Sequence, residues 1–331
     1  MVSPSTSRRL LRWTGKALLW LVVVLLVLAV VGVIYQVIAT QRAEQAYPPP
    51  GEMVDVGGHR LHIACVGQGS PTVVLEAALG TTSAHWVRVQ REVADTARVC
   101  AYDRAGMGWS EKGPEPRDAE RVTGELHALL EGAGTEGPYV LVGHSYGGLY
   151  ARAYAASYTA DVAGMVLVDS SHPEQFERLP DGPENYDQAR RLFAVAPILA
   201  RLGVIRLFDL LPVPTELPAP QRAQVEAFNP STRQVATTAE EFRATPETTA
   251  KVRGAGSLGD KPLAVVSAGE QSPAWLELQD ELAALSSDST HRVVEGATHV
   301  SLLYDRRDAQ RTSTAIIEVV QAVRNDQPLA P

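Results

Sequence analysis

Long blocks of one charge are missing from this sequence, and its formal net charge is −8. With no basic stripe or tail, nothing points to nucleic acid as a partner. The patterns that announce metal chemistry, His-Glu-x-x-His and Cys-x-x-Cys, are absent, and only two cysteines, Cys65 and Cys100, occur. The glycine-rich Lys-Ser/Thr segment that cradles phosphates is missing as well. Internal repeats and low-complexity tracts are not seen. What is plentiful is apolar: 45% of the 331 residues, against 21% charged. That balance suits a globular protein with a substantial core, built as one large domain or two small ones.

The apolar residues are concentrated at the N-terminus. Ala17 to Tyr35 contains no charged or strongly polar residue, and Gln36 alone interrupts a run that continues to Ala39. As a helix, 19 to 23 residues would span about 28–35 Å, enough to cross a bilayer core. Arg8, Arg9, Arg12 and Lys16 precede the run, whereas Arg42 alone follows it before Arg60. The positive-inside bias therefore leaves residues 1–16 in the cytoplasm and sends the rest across the cell membrane. A cleaved signal peptide would have a shorter apolar region and a better small-residue cleavage site. Residues 17–39 are read as an uncleaved signal anchor, and the proline-rich 40–51 as a stiff linker.

Beyond residue 52 the strand and helix signals alternate. "HRLHIACVG", "PTVVLEAA", "ARVCAYD", "PYVLVG", "VAGMVLVD", "KPLAVVSAG" and "HRVVEGA" read as strands, separated by segments with helical spacing. Nearly continuous apolar strands that alternate with helices predict a mostly parallel sheet covered on both faces. About ninety residues separate "VLVD" from "KPLAVV". That is too long for a loop, so residues 172–259 are expected to form an inserted helical cap. Residues 52–171 and 260–325 would form the core. Leu192, Phe193, Ile198, Leu199, Ile205, Leu207 and Phe208 make this cap apolar enough to line a pocket, or simply to pack it onto the core. His172, near the edge, is a further pocket candidate.

One stretch carries chemistry. "GHSYGG", residues 143–148, follows the apolar "YVLV" and precedes a helical "GLYARAYA". Strand, glycine-flanked serine and helix make a nucleophile elbow, in which a strained turn exposes a serine hydroxyl above a sheet. Ser145 is the candidate nucleophile. His299, in "VVEGATHVSLL" after the last strand, is the candidate base. Asp169, at the end of "GMVLVD", is the favoured acid, with Glu270 as the alternative. The slot where an aspartate is more usual, after "PLAVVSAG", holds Ser272. Backbone N–H groups of Tyr146 and Leu79 are the candidates to hold an oxyanion. The other histidines offer no argument for catalysis, and His144 is read as packing.

Together, "YDRAGMGWS", "GPYVLVGHSYGG", "VLVD" and "GATHVSLL" occur in an order that resembles the α/β-hydrolase superfamily. The resemblance covers roughly residues 52 to 325 and is nearest to capped esterases, lipase-like enzymes, dehalogenases and epoxide hydrolases. It implies an α/β fold with a mostly parallel eight-stranded sheet, and no metal or organic cofactor. Dehalogenases and epoxide hydrolases use an aspartate nucleophile, so Ser145 favours ester or related acyl chemistry on a small hydrophobic substrate. Asp103 and Arg104 fall in the family's turn motif and are expected to be structural. The resemblance further implies that the second and fourth strands are antiparallel neighbours, which would bring Cys65 and Cys100 together as a disulfide. An amidase, peptidase or acyltransferase would use the same site. A catalytically silent binding protein on the same fold is the remaining alternative.

Overall fold

The computed structural model describes residues 4–211 and 213–329. Its first element, α1 (Pro4–Ala46), is a single continuous helix. The segment expected to be a linker from residue 40 is thus helical to Ala46, and only residues 47–51, which bend, lead into the next strand. Helix-favouring residues (Gln41, Arg42, Ala43, Glu44, Gln45, Ala46) precede the first proline, Pro48, and nothing stops the helix before it.

Eight strands follow: β1 (Glu52–Asp55), β2 (Arg60–Val66), β3 (Thr72–Glu76), β4 (Val99–Tyr102), β5 (Tyr139–His144), β6 (Val162–Val168), β7 (Leu263–Ala268) and β8 (Ser289–Val294). Between and after them lie α2 (Val87–Val93), α3 (Ala119–Gly132), α4 (Gly147–Ser157), α11 (Pro273–Ala283), α12 (Ser301–Tyr304) and α13 (Arg306–Asn325). The intervening α5 (Gln175–Arg178), α6 (Gly182–Arg201), α7 (Val204–Leu207), α8 (Ala219–Phe228), α9 (Thr232–Arg243) and α10 (Thr245–Arg253) all fall between β6 and β7.

The strands form one sheet in the order β1-β2-β4-β3-β5-β6-β7-β8. Pairing is antiparallel for β1–β2 and β2–β4 and parallel from β4 to β8. Alternate residues point to opposite faces, and both faces are buried. Val73, Leu75, Val140, Val142, Val166 and Val168 pack with α2 and α13 on one side. Val74, Leu141, Met165, Leu167 and Val265 pack with α3, α4 and α11 on the other. Cys65 stands directly opposite Cys100 in the antiparallel β2–β4 register, and the two form a disulfide.

Candidate functional site

The site is built at the C-terminal ends of the parallel strands. At the end of β5 the chain turns sharply into α4, and Ser145 sits at the turn with φ of 52°. A serine in this left-handed region is strained, and it persists only where its surroundings hold it. Here the Ser145 N–H donates to the Val168 carbonyl at 3.1 Å, and its own carbonyl accepts from Gly148 and Ser171 at 3.0 and 2.9 Å. The flanking glycines are required by space. A Cβ at Gly143 would stand 2.5 Å from the Gly148 Cα, and one at Gly147 would stand 2.4 Å from the Glu76 carbonyl. Both neighbours are backbone and cannot give way.

Asp169 follows β6 directly and is fully buried. Its Oδ2 lies 2.6 Å from Nδ1 of His299, which stands in the loop between β8 and α12. A carboxylate only accepts, so Nδ1 carries the hydrogen, and Nε2 is the ring nitrogen left to act as a base. Three more donors reach the same carboxylate. Gln271 Nε2 donates to Oδ2 at 2.5 Å, while Trp275 Nε1 and the Ala268 N–H donate to Oδ1 at 2.9 and 3.2 Å. Burial pushes the Asp169 carboxyl up, but the hydrogen bond and charge of His299, with Gln271 and Trp275, outweigh it and hold the group below its ordinary value.

Glu270, the alternative acid, is exposed. Its backbone N–H donates to Ala297, and among the described residues its carboxylate makes no hydrogen bond to His299. The usual acid slot after β7 is occupied by the supports of Asp169. Gln271 and Trp275 hold the carboxylate, and Ser272 caps α11 by accepting from the Trp275 N–H at 3.2 Å. Gln271 and Trp275 carry no sequence signal of this task, because both lie more than a hundred residues from Asp169.

His144 precedes the serine and links it to the histidine loop. Its ring lies 4.6 Å from that of His299, centroid to centroid, and its Nε2 donates to the His299 carbonyl at 3.0 Å. Burial, reinforced by the neighbouring His299, pushes this imidazole down to about 3, so it stays neutral. His144 thus packs, as its position suggests, and also braces the loop that carries His299.

The loop after β3 faces the start of α4. Leu79 packs with Tyr146, Leu149 and Tyr150. Among the described residues, neither the Leu79 nor the Tyr146 N–H donates to a protein acceptor. The loop is held from below by Arg104, which is buried. Its guanidinium donates to the Ala77 and Ala78 carbonyls at 2.7 and 2.9 Å and to Glu76 at 2.8 Å. The other side of the same fork grips Glu241 of α9 at 2.8 and 2.9 Å. Tyr102 donates its hydroxyl to Glu76 from the next strand. Arg104 is therefore structural, as its turn motif suggests, but it also fastens the cap to this loop. Asp103 ties the turn to β2 and to the segment after β3, accepting from His62 and from the Ser83 and Trp109 N–H groups.

The cap departs from expectation. Leu192, Ile198, Leu207 and Phe208 are 61%, 57%, 66% and 66% exposed, so they face outward rather than packing onto the core. Of the seven apolar candidates, Ile205 is buried with Ala196, Ala200 and Val235, Leu199 packs against that cluster, and Phe193 lies against Phe242. His172 turns away towards Glu174 and Glu281.

Comparison with known proteins agrees with this architecture. A model of the alpha/beta hydrolase family matches residues 73–311. An uncharacterized protein of Schizosaccharomyces pombe is 28% identical over 300 residues, which cover 78% of this chain and 54% of that protein. The 2-hydroxymuconate semialdehyde hydrolase of a Pseudomonas strain is 33% identical over 140 residues, covering 39% of this chain and 46% of that enzyme. The chain spans about half or less of the length of the curated relatives it matches first. Among solved structures, a thermophilic esterase from Thermogutta terrifontis superposes with a TM-score of 0.62 at 22% identity, covering 82% of this chain and 98% of that one. By its family match and its sheet, this chain belongs to the alpha/beta hydrolase family.

Proposed function

We propose that the protein is a membrane-anchored serine hydrolase that cleaves a carboxylic ester through an acyl-enzyme. The observation that carries the reading is the 2.6 Å contact of His299 Nδ1 with buried Asp169, beside a serine held in a left-handed elbow. In this reading His299 Nε2 takes the Ser145 hydroxyl proton as the oxygen attacks the ester carbonyl carbon. The negative oxygen is held by the N–H groups of Tyr146 and Leu79. Collapse breaks the bond to the alcohol, which leaves with the proton from His299. Water, deprotonated by His299, then releases the acid and restores the serine. Asp169 stays ionised throughout and fixes the ring. The long apolar N-terminal helix supports a membrane anchor with the hydrolase domain outside, and the Cys65–Cys100 bridge suits an oxidising compartment there.

Fluorophosphonate labelling and p-nitrophenyl ester hydrolysis by the full chain in detergent test this. Wild type is expected to label and turn over, and Ser145→Ala to do neither. Asp169→Asn should lose most turnover, whereas Glu270→Gln should keep it. A folded wild type that neither labels nor hydrolyses any ester would count for the silent binding protein instead.

A further inference from the structure

The apolar residues on the outside of the cap are not scattered. Leu192, Val195 and Ile198 lie on the exposed side of α6, and Leu207, Phe208, Leu210 and Leu211 continue it at and after α7. Such a contiguous patch on a soluble surface marks a contact with something apolar. Its position says what that is, because α1 packs beside it. Beyond residue 28, the residues of α1 that are partly or fully covered are Ala29, Gly32, Gln36, Ala39, Thr40 and Ala43, which share one helical face.

The contacts of this face can be followed along the helix. Gly32 touches the α6–α7 junction so closely that a Cβ there would stand 2.2 Å from the Leu202 carbonyl. Gln36, the single polar residue of the apolar run, donates to the Pro230 carbonyl at 2.7 Å and accepts from Arg206 at 3.2 Å. Further along, Glu44 pairs with Arg233 at 3.6 Å, and the Tyr47 carbonyl accepts from Trp109 at 2.8 Å. The lowest of these contacts falls inside the apolar run, seven residues before its end at Ala39, which is about 10 Å along a helix. The α6–α7 junction is therefore level with the outer edge of whatever the apolar run crosses, and the exposed patch is at that same junction.

We infer that α6 and α7 rest in the outer interface of the bilayer spanned by α1, and that the site takes an amphiphilic acyl ester drawn from that leaflet. The inference rests on the proposed anchor and on the proposed ester hydrolysis. An amphipathic helix with an apolar face buried about 5–10 Å into the headgroup and acyl boundary has this character. Arg190, Arg191 and Arg201 flank the patch on α6, where their long side chains can reach the headgroups, and Asp209 is the acidic residue within it. The path from patch to serine is short. α6 packs on α9, and α9 is fastened through Glu241 to the loop facing Ser145, so these two helices are the layer between the membrane face and the site.

The two natural cysteines are bridged, so one introduced cysteine labels uniquely. The full chain in phosphatidylcholine–phosphatidylglycerol vesicles would carry an environment-sensitive fluorophore at Phe208→Cys, Ile198→Cys, Leu25→Cys or, as a remote control, Glu131→Cys. Quenching is then read with lipids spin-labelled at a shallow or a deep acyl carbon. The expected result is shallow quenching at 198 and 208, deep quenching at 25, and none at 131. Quenching at 25 without 198 and 208 would overturn the docked cap and leave the anchor. No quenching at 25 would overturn the anchor itself, and the inference with it. For the substrate, Leu207→Asp with Phe208→Asp should lower hydrolysis of a vesicle-borne long-chain ester about tenfold, with a soluble short ester unchanged. Equal rates on both would overturn the leaflet as the source. Absence of any soluble-ester turnover in wild type would instead sink the proposed hydrolysis.

Discussion

The sheet and the cap treat apolar residues in opposite ways. All five residues of β3 are buried, and so are all six of β5. α6 has 20 residues and buries three of them, Gly182, Ala196 and Ala200, while Leu192, Val195 and Ile198 face outward. The sheet removes its side chains from water by stacking helices on both faces. The cap's inner contacts are small residues and a ring cluster around Phe242, where Phe176, Tyr186 and Phe193 meet. The same kind of side chain is thus core in one region and surface in the other. The difference lies in what each face meets, since hydrophobicity alone specifies no partner.

Perturbing each region separately sharpens the contrast. The largest effect belongs to the serine at the sheet's edge: Ser145→Ala should lower ester turnover by about a thousandfold or more, read as kcat. Next is the junction of the two regions. Arg104→Met leaves Glu76 and Glu241 unpaired in the interior and should cost about 3–5 kcal/mol, read from thermal or denaturant midpoints. Within the core, Leu141→Ala removes a buried side chain on β5 and should cost about 2–5 kcal/mol in the same assay.

Acid strikes the sheet side of the comparison as well. Burial pushes His85 down to about 4 and His144 down to about 3. Both are neutral when folded, whereas the unfolded chain protonates them below about 6.5. Stability is therefore expected to be independent of these groups above that pH and to fall below it. The loss is about 2 kcal/mol for each between pH 7.5 and 5. Comparing wild type with His85→Gln isolates one share, because the variant should lose about 2 kcal/mol less over the same interval. The smallest effect is reserved for the cap's outer face. Ile198→Ser in detergent should change stability by less than about 0.5 kcal/mol, since the side chain is already exposed. A loss comparable to that of Leu141→Ala would erase the distinction between the two regions.

Much of the sheet is legible because buried parallel strands are apolar runs bounded by turns. The short edge strand β1 is not, since "EMVD" has too few residues to show a period. The elbow is legible because its glycines answer a local steric demand. The histidine is legible from its place after the last strand. The carboxylate is less so: Asp169 and Glu270 each end a strand region, and only the fold decides that the first meets His299. Arg104 and Glu241 are 137 residues apart, and no local pattern joins them. The outward face of α6 is the deepest ambiguity. Helical spacing marks an apolar face without saying whether protein or lipid covers it. Gln36 is the one clue in the sequence, a lone amide in an apolar run that has to find partners.

The grip of Arg104 on Glu241 bears on how anything enters. Lifting α9 away from the core would break the two-pronged Arg104–Glu241 pair and leave the buried Arg104 with Glu76 as its one carboxylate, a cost of about 3 kcal/mol or more, so a detached α9 would be populated in under about one molecule in a hundred. α9 is then the fixed part of the cap, and α6 with α7, joined to it by ring contacts such as Tyr186 and Phe193 on Phe242 and by no charged pair as deep as Arg104–Glu241, is the part that can move. Hydrogen exchange should show this as slow amides along α9 and faster ones along α7 and the chain after it. Traffic to and from the serine would then pass on the side where the first helix of the chain stands.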